Sequence, residues 1–246
     1  MKCVILAAGF ATRLYPLTLN FPKPLLRIGD RNILEWLLAD LASTGAIDEY
    51  VVVSNEKFAD QFEAWSSGRS ERITVLNDGA ESNETRLGAV RDVQFAIDSL
   101  GLDDDLLVIA GDNLLDFSLG RFIDYFRAKG GATCIMRYYE PDLSKLRQCG
   151  VMEIDDTERV VDMTEKPSEP KTHWCSPPFY LYARADVPRV RAGIESGCGV
   201  DAPGSFIEWL CKQTTVFAFE TPGRRYDIGD IASLEETRAE YRGITK

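Results

Sequence analysis

Apolar residues in the first half of the chain alternate between short continuous runs and helix-spaced stripes. KCVILA at residues 2–7, YVVVS at Tyr50–Ser54 and ITVLN at Ile73–Asn77 are brief and rich in β-branched side chains, the pattern of strands covered on both faces. Between the first two, Ile33, Leu34, Leu37, Leu38 and Leu41 recur every three or four positions and predict a helix, with Asp30 as its N-cap and Gly45 as its stop. A further helix is predicted from about Gly88 to Leu100, and DLLVIAGDN at Asp105–Asn113 reads as a strand ending in a tight turn. Ser118 then caps a helix with Leu119, Phe122, Ile123 and Phe126 on its inner face, closed by Gly130 and Gly131. Strands and helices that alternate across short connections imply an α/β protein with a mostly parallel sheet and helices on both faces.

Beyond residue 132 the texture changes to strand-like pieces, ATCIMRYYE, GVMEID, RVVDMTEKP and FYLYA, before helices near Asp186–Ser196, Ser205–Lys212 and Ile231–Tyr241. No Gly/Ser/Pro-rich linker divides the two textures, so residues 1–246 read as one domain with halves at about 1–131 and 132–246. No segment approaches the ~20 apolar residues of a membrane helix. Lys2 ahead of Cys3–Ala8 imitates a secretory leader, but the run is short and meets Arg13 and prolines where a cleavage site would stand. A cytoplasmic location is the expectation.

Charge narrows the partners. With 28 Lys and Arg against 39 Asp and Glu the net charge is −11, which disfavours a broad grip on nucleic acid or on an anionic membrane. Six cysteines without a CxxC pair favour reduced thiols over a disulfide framework or a zinc knot. His173 is the only histidine, so a histidine triad or histidine metal centre would rest on it alone.

Against that acidic background the N-terminus stands out. By proportion, about four or five carboxylates belong in the first 29 residues, and there are none before Asp30. The stretch LAAGFATRLYPLTLNFPKPLL, Leu6 to Leu26, follows the first strand, where open α/β sheets bind ligands and where backbone N–H groups meet phosphate. Ala8, Gly9 and Ala11 are small enough for close approach, and Arg13 and Lys23 add positive charge to the same rim. A small-residue turn alone is common in α/β proteins. The G-x-G-x-x-G spacing of a dinucleotide loop is absent, and Pro16, Pro22 and Pro24 break the helix such a loop would open, leaving a long loop able to wrap a phosphate chain.

This stretch resembles, at nearly every position, the signature L-A-[AG]-G-x-G-[ST]-R-[LM]-x-P-L-T … P-K-[PA]-[LM] of the sugar-1-phosphate nucleotidyltransferases, or NDP-sugar pyrophosphorylases. GDN at Gly111–Asn113, CGVMEID at Cys149–Asp155, EKP at Glu165–Pro167 and YDIGD at Tyr226–Asp230 come in the order the resemblance requires. It is closest to the short, single-domain members similar to glucose-1-phosphate thymidylyltransferase. It implies a Rossmann-like fold of the nucleotide-diphospho-sugar transferase type with a small sugar-binding lobe in the second half. It also implies Mg²⁺-dependent, in-line attack of a sugar 1-phosphate on the α-phosphate of a nucleoside triphosphate.

Carried over residue by residue, the resemblance makes Arg13, Lys23 and Asp112 catalytic. Leu6, Ala7, Ala8, Gly9, Phe10, Ala11, Thr12, Asn77 and Gly88 would bind nucleotide; Gly150, Glu165 and Lys166 would bind the sugar phosphate; Asp112 and Asp227 would hold Mg²⁺. The partners implied are a nucleoside triphosphate and a sugar 1-phosphate, with no nucleic acid and no membrane, and a homo-oligomer stays open. Ala11 departs from the second glycine of the signature, Cys149 stands at a position often aromatic, and NDGAESNETRLGAV is longer and more acidic than a thymidylyltransferase loop. These departures leave room for a non-sugar acceptor, phosphocholine or a cyclitol phosphate, and for a non-catalytic nucleotide-sugar-binding regulatory subunit.

Overall fold

The computed structural model describes residues 1–244. In chain order its first elements are β1 (Lys2–Leu6), β2 (Arg27–Ile28), β3 (Arg31–Asn32), α1 (Ile33–Thr44), β4 (Glu49–Ser54), α2 (Ala59–Ser66) and β5 (Ile73–Asn77). Next come α3 (Ala89–Leu100), β6 (Leu106–Ala110), β7 (Asn113–Leu115), α4 (Gly120–Ala128), β8 (Cys134–Tyr139), α5 (Leu143–Leu146), β9 (Gly150–Ile154) and β10 (Val160–Glu165). The last are β11 (Trp174–Ser176), β12 (Phe179–Tyr182), α6 (Arg189–Glu195), α7 (Gly204–Leu210), β13 (Phe217–Glu220), β14 (Arg225–Asp227) and α8 (Ile231–Glu240). Two compact units share them: Met1–Arg86 with Ala110–Arg121 and residues 222–244, and Leu87–Ile109 with Phe122–Thr221. No described helix is long and apolar enough to cross a membrane.

In the first unit β1, β4 and β5 run parallel, with β4 in the middle. Cys3, Val4, Ile5 and Val51–Val53 are wholly buried, as continuous β-branched runs require when both faces are covered. The α1 stripe Ile33, Leu34, Leu37, Leu38 and Leu41 is likewise at most 1% exposed, and at about 2 kcal/mol per side chain it contributes roughly 10 kcal/mol before chain entropy is subtracted. The cap of this helix is not Asp30. The β2–β3 hairpin uses Gly29 and Asp30 for its turn, so the cap falls to Asn32. Asn32 Oδ1 accepts the Glu35 N–H at 2.8 Å and Glu35 Oε2 accepts the Asn32 N–H at 2.9 Å, a complete capping box. Because the three strands are parallel, the loops after β1, β4 and β5 all leave from one edge. β7 and β14 add an antiparallel ribbon to this unit, with Asn113 opposite Asp227.

In the second unit the strand order is β10-β9-β11-β8-β12-β6, with antiparallel neighbours, and β13 runs parallel to β8. The α/β class and the parallel βαβ start are as the sequence reads; the second unit pairs mostly antiparallel because hairpins such as β9–β10 turn the chain straight back. Tyr180 and Tyr182, at most 2% exposed, stack with ring centroids 6.1 Å apart and belong to the core. His173 instead stacks on exposed Tyr139, its Nδ1 2.8 Å from the Glu140 carbonyl oxygen.

Candidate active site

A cleft of about 430 Å³ opens in the first unit at the carboxyl edge of β1. Leu6, Ala7 and Gly9–Leu14 line one side, Lys23 and Pro24 another, and Ala110, Asp112 and Gly229 complete the wall with Asn83 and Arg86. The loop after β1 is fixed by its own hydrogen bonds: the Thr18 hydroxyl donates to the Ala11 carbonyl at 2.8 Å, and a 3₁₀ turn spans Thr12–Leu14. Ala11 sits in the left-handed region, φ 47° and ψ 43°, a conformation that costs an L-residue about 1–2 kcal/mol and that glycine adopts freely. The glycine of the signature would take this conformation without that cost.

Lys23, only 6% exposed, sends its Nζ to within 2.7 Å of Asp112 Oδ2. Burial pulls the Asp112 pKa up, but Lys23, the Asn113 amide and Arg225 pull it down by more, so the carboxyl titrates below its ordinary range and is ionised at neutral pH. Asn113 Nδ2 donates to Asp112 Oδ1 at 2.6 Å, Asn113 Oδ1 accepts from Arg225, and Arg225 lies 3.1 Å from Asp227 Oδ2. Asp112 and Asp227, 115 positions apart in sequence, are linked through Asn113 and Arg225 at one end of the β7–β14 ribbon, and of the two only Asp112 lines the cleft. Among the described residues no third carboxylate, histidine or cysteine joins them as a metal-binding group. Two hard oxygen donors of this kind could hold a divalent cation that takes its other ligands from phosphate and water.

The other sequence-predicted positions separate. Ala8 is buried and does not line the cleft; its carbonyl accepts the Nδ2 hydrogen of wholly buried Asn55 at 2.9 Å. Asn55 Oδ1 in turn accepts the Phe58 N–H at 3.1 Å, so one amide ties the loop after β1 to the start of α2. Asn77 ends β5 outside the cleft lining, its amide bonded to Glu56 at 2.6 Å and to the Gly79 N–H at 2.9 Å. Gly88 lies in the second unit at φ 93°, where a Cβ would come within 2.9 Å of the Val200 backbone, so it serves close packing at the start of α3.

Gly150, Glu165 and Lys166 do come together in the second unit. Gly150 opens β9 opposite Glu165, the last residue of β10, and a Cβ on Gly150 would stand 2.9 Å from Glu165 Oε2. The Glu165 N–H donates to Glu208 at 3.1 Å, and the Lys166 N–H to the Cys149 carbonyl at 3.0 Å with Lys166 at φ 50°. Burial drives the Glu165 pKa up; Lys166 opposes this, Cys149, Glu208 and Asp201 add to it, and the carboxyl titrates at about 7.

The sequence model of the nucleotidyl transferase family matches residues 2–243. The chain belongs to that family. Curated relatives include a protein of Sulfolobus acidocaldarius named for mannose-1-phosphate guanyltransferase activity, 25% identical over 93% of this chain and 60% of its own length. A low-salt glycan biosynthesis nucleotidyltransferase of Haloferax volcanii is 27% identical over 75% of this chain and 50% of its own. The chain therefore spans 50–60% of the length of these relatives. Among solved structures, a Bacillus anthracis protein named for glucose-1-phosphate thymidylyltransferase activity has the same fold, with TM-score 0.81 and 21% identity over 100% of this chain and 97% of that one. A UDP-glucose pyrophosphorylase complexed with UDP-glucose superposes with TM-score 0.83 and 17% identity, over 98% and 97% of the two chains.

For a nucleotidyl transferase, the residues that sequence reasoning missed are Asn55, Asn83 and Arg86. The available signal was positional. Each lies past the carboxyl end of a parallel strand, and Arg86 is a cation in an otherwise acidic loop.

Proposed function

We propose that this protein joins a nucleoside triphosphate to a sugar 1-phosphate, giving an NDP-sugar and pyrophosphate. The observation that carries the reading is the Lys23–Asp112 pair, 2.7 Å apart on the wall of a cleft whose rim is Gly9–Arg13. The chemistry calls for that combination. A sugar phosphate is ionised at neutral pH and its oxygen needs no base, so the barrier is repulsion between two anions and the alignment of attack.

Gly9–Thr12 offer backbone N–H groups to the triphosphate, Arg13 pairs with the β- and γ-phosphates, and Lys23 serves the α-phosphate and the acceptor phosphate. Asp112 and Asp227 would hold Mg²⁺, which supplies positive charge to the phosphate oxygens when bound. The acceptor oxygen bonds to the α-phosphorus, the bond from that phosphorus to the bridging oxygen breaks, and its electron pair leaves on pyrophosphate. Glu165 binds sugar hydroxyls, Gly150 lets a hydroxyl approach the backbone, and Lys166 pairs with the acceptor phosphate.

A non-sugar phosphate acceptor is the second reading, favoured by one observation: the position often aromatic in the resemblance is Cys149, whose Sγ lies 3.3 Å from the Tyr138 hydroxyl. Pyrophosphate release from ATP, GTP, CTP, UTP and dTTP against a panel of sugar 1-phosphates, with and without Mg²⁺, tests the proposal. Release that needs both a sugar 1-phosphate and Mg²⁺ supports it. Release only with phosphocholine or a cyclitol phosphate selects the second reading, and nucleotide binding without release from any pair leaves a regulatory binder.

A further inference from the structure

The loop between β5 and α3 carries three carboxylates, Asp78, Glu81 and Glu84, and one cation, Arg86. Only Asn83 and Arg86 of this loop line the nucleotide cleft. That sorting runs against composition, in a protein of charge −11, and it leaves Arg13, Lys23 and Arg86 facing the cleft with a single carboxylate, Asp112, which Lys23 already engages. Polyanion binding explains such a distribution, whereas a solvated acidic loop does not.

The loop is also built to hold its shape. The Ala80 carbonyl accepts the Glu56 N–H at 3.1 Å, and Asp78 Oδ1 accepts the Ala80 N–H at 2.8 Å, so buried Ala80 anchors the base. Thr85 Oγ1 accepts the N–H groups of Glu81 and Ser82 at 3.2 and 3.1 Å, and the Thr85 N–H returns to the Ser82 carbonyl at 3.1 Å. Arg86 comes directly after this knot. Its Nη1 donates to Asn83 Oδ1 at 2.8 Å, which sets the plane of the guanidinium. An arginine fork carried on a fixed loop at the cleft wall suits contact with phosphate oxygens.

We propose that Arg86, oriented by Asn83, binds the β- and γ-phosphates of the nucleoside triphosphate, the part that departs as pyrophosphate. The proposal rests on the nucleotidyl-transfer reading and adds a third cation to it. Phosphate is the favoured partner over the base because the same cleft wall is Gly9–Arg13 and Lys23, all phosphate-directed groups in that reading.

The test compares the full chain with Arg86→Gln and Arg86→Lys, at one salt concentration. Calorimetry measures binding of inorganic tripolyphosphate, of the active nucleoside triphosphate and of the matching monophosphate. The expected result is about a tenfold loss for tripolyphosphate and triphosphate in Arg86→Gln, alike for every base tested, with the monophosphate and the acceptor KM unchanged within about twofold. Arg86→Lys should recover part of the loss. Arg86 is exposed, so melting temperatures should stay alike and a folding defect is readily seen. Unchanged tripolyphosphate binding overturns the proposal, as does a loss that varies from base to base and reaches the monophosphate equally. A wild-type chain that binds no triphosphate defeats the nucleotidyl-transfer reading and this proposal with it; that outcome is distinguishable because it precedes any substitution.

Discussion

Replacing Glu165 by Gln removes a carboxyl that the fold holds against its ordinary chemistry. The carboxylate packs against Gly150 and Gly204 beside Met163, and burial, opposed by Lys166 and reinforced by Cys149, Glu208 and Asp201, brings its pKa to about 7 from 4.5. Between those two values the folded chain holds a proton that the unfolded chain has released. Stability therefore falls as pH rises: the cost of ionising Glu165 is absent below about 4.5 and complete above about 7. At 1.4 kcal/mol per pH unit the gap is worth about 3 kcal/mol, and the side chain's partial access to solvent reduces this to about 1.5 kcal/mol. For a chain of this size that is about 3–6 °C of melting temperature. Gln carries no proton to lose. Part of the cost is already present at about pH 5.5, so thermal denaturation of both proteins at about pH 5.5 and pH 8, at fixed ionic strength, should show the wild type losing about 2–3 °C more than Glu165→Gln between the two conditions. Parallel shifts would refute the reasoning, because they would mean that this carboxyl titrates in the same range folded and unfolded.

Four other substitutions test separate links. Lys23→Ala should lower turnover about 10²- to 10³-fold in a pyrophosphate-release assay, since it removes the cation beside Asp112; near-normal turnover would take Lys23 out of the chemistry. Ala11→Gly relieves a left-handed Cβ worth about 1–2 kcal/mol and gives back about 0.5–1 kcal/mol of chain entropy, so urea denaturation should show a net gain of about 0.5–1 kcal/mol, and a loss would mean the loop tolerates the Cβ without strain. Gly150→Ala pushes a methyl group against Glu165 and Met163 and should cost about 1–3 kcal/mol while raising the acceptor KM; a variant with wild-type stability and KM would show that this contact yields freely. Asn55→Ala leaves the Ala8 carbonyl and the Phe58 N–H without their buried partner and should destabilise by about 2–3 kcal/mol, a figure that denaturant titration reads directly.

How much of this was legible depended on whether the signal was local. The apolar run of β1, the stripe of α1 and the Gly-x-Ala turn before Arg13 each specify their own geometry within a few residues, and they stand in the structure as written. The α1 cap escapes a local reading because Asp30 and Asn32 are both good caps and only the short β2–β3 hairpin, two residues per strand, decides between them. β14 has three residues and β11 has three, too few for a period to show, so they exist through their partners β7, β8 and β9.

The same distinction governs the site. Lys23 and Asp112 carried a motif, so sequence could nominate both; their separation of 2.7 Å arises because one loop and one strand end share the carboxyl edge of the sheet. Asn55 and Arg86 carried no motif. Each sits beyond a parallel strand, and each reaches the region after β1 only through the order β1-β4-β5, in which β4 lies next to β1 and β5 lies beyond it. A buried amide that holds a neighbouring loop, or an arginine placed at the cleft wall beside an amide partner, is set by that order and not by its own surroundings in sequence. Function in such a sheet is therefore best sought among the residues just past every strand at the ligand-binding edge, whether or not they match a motif.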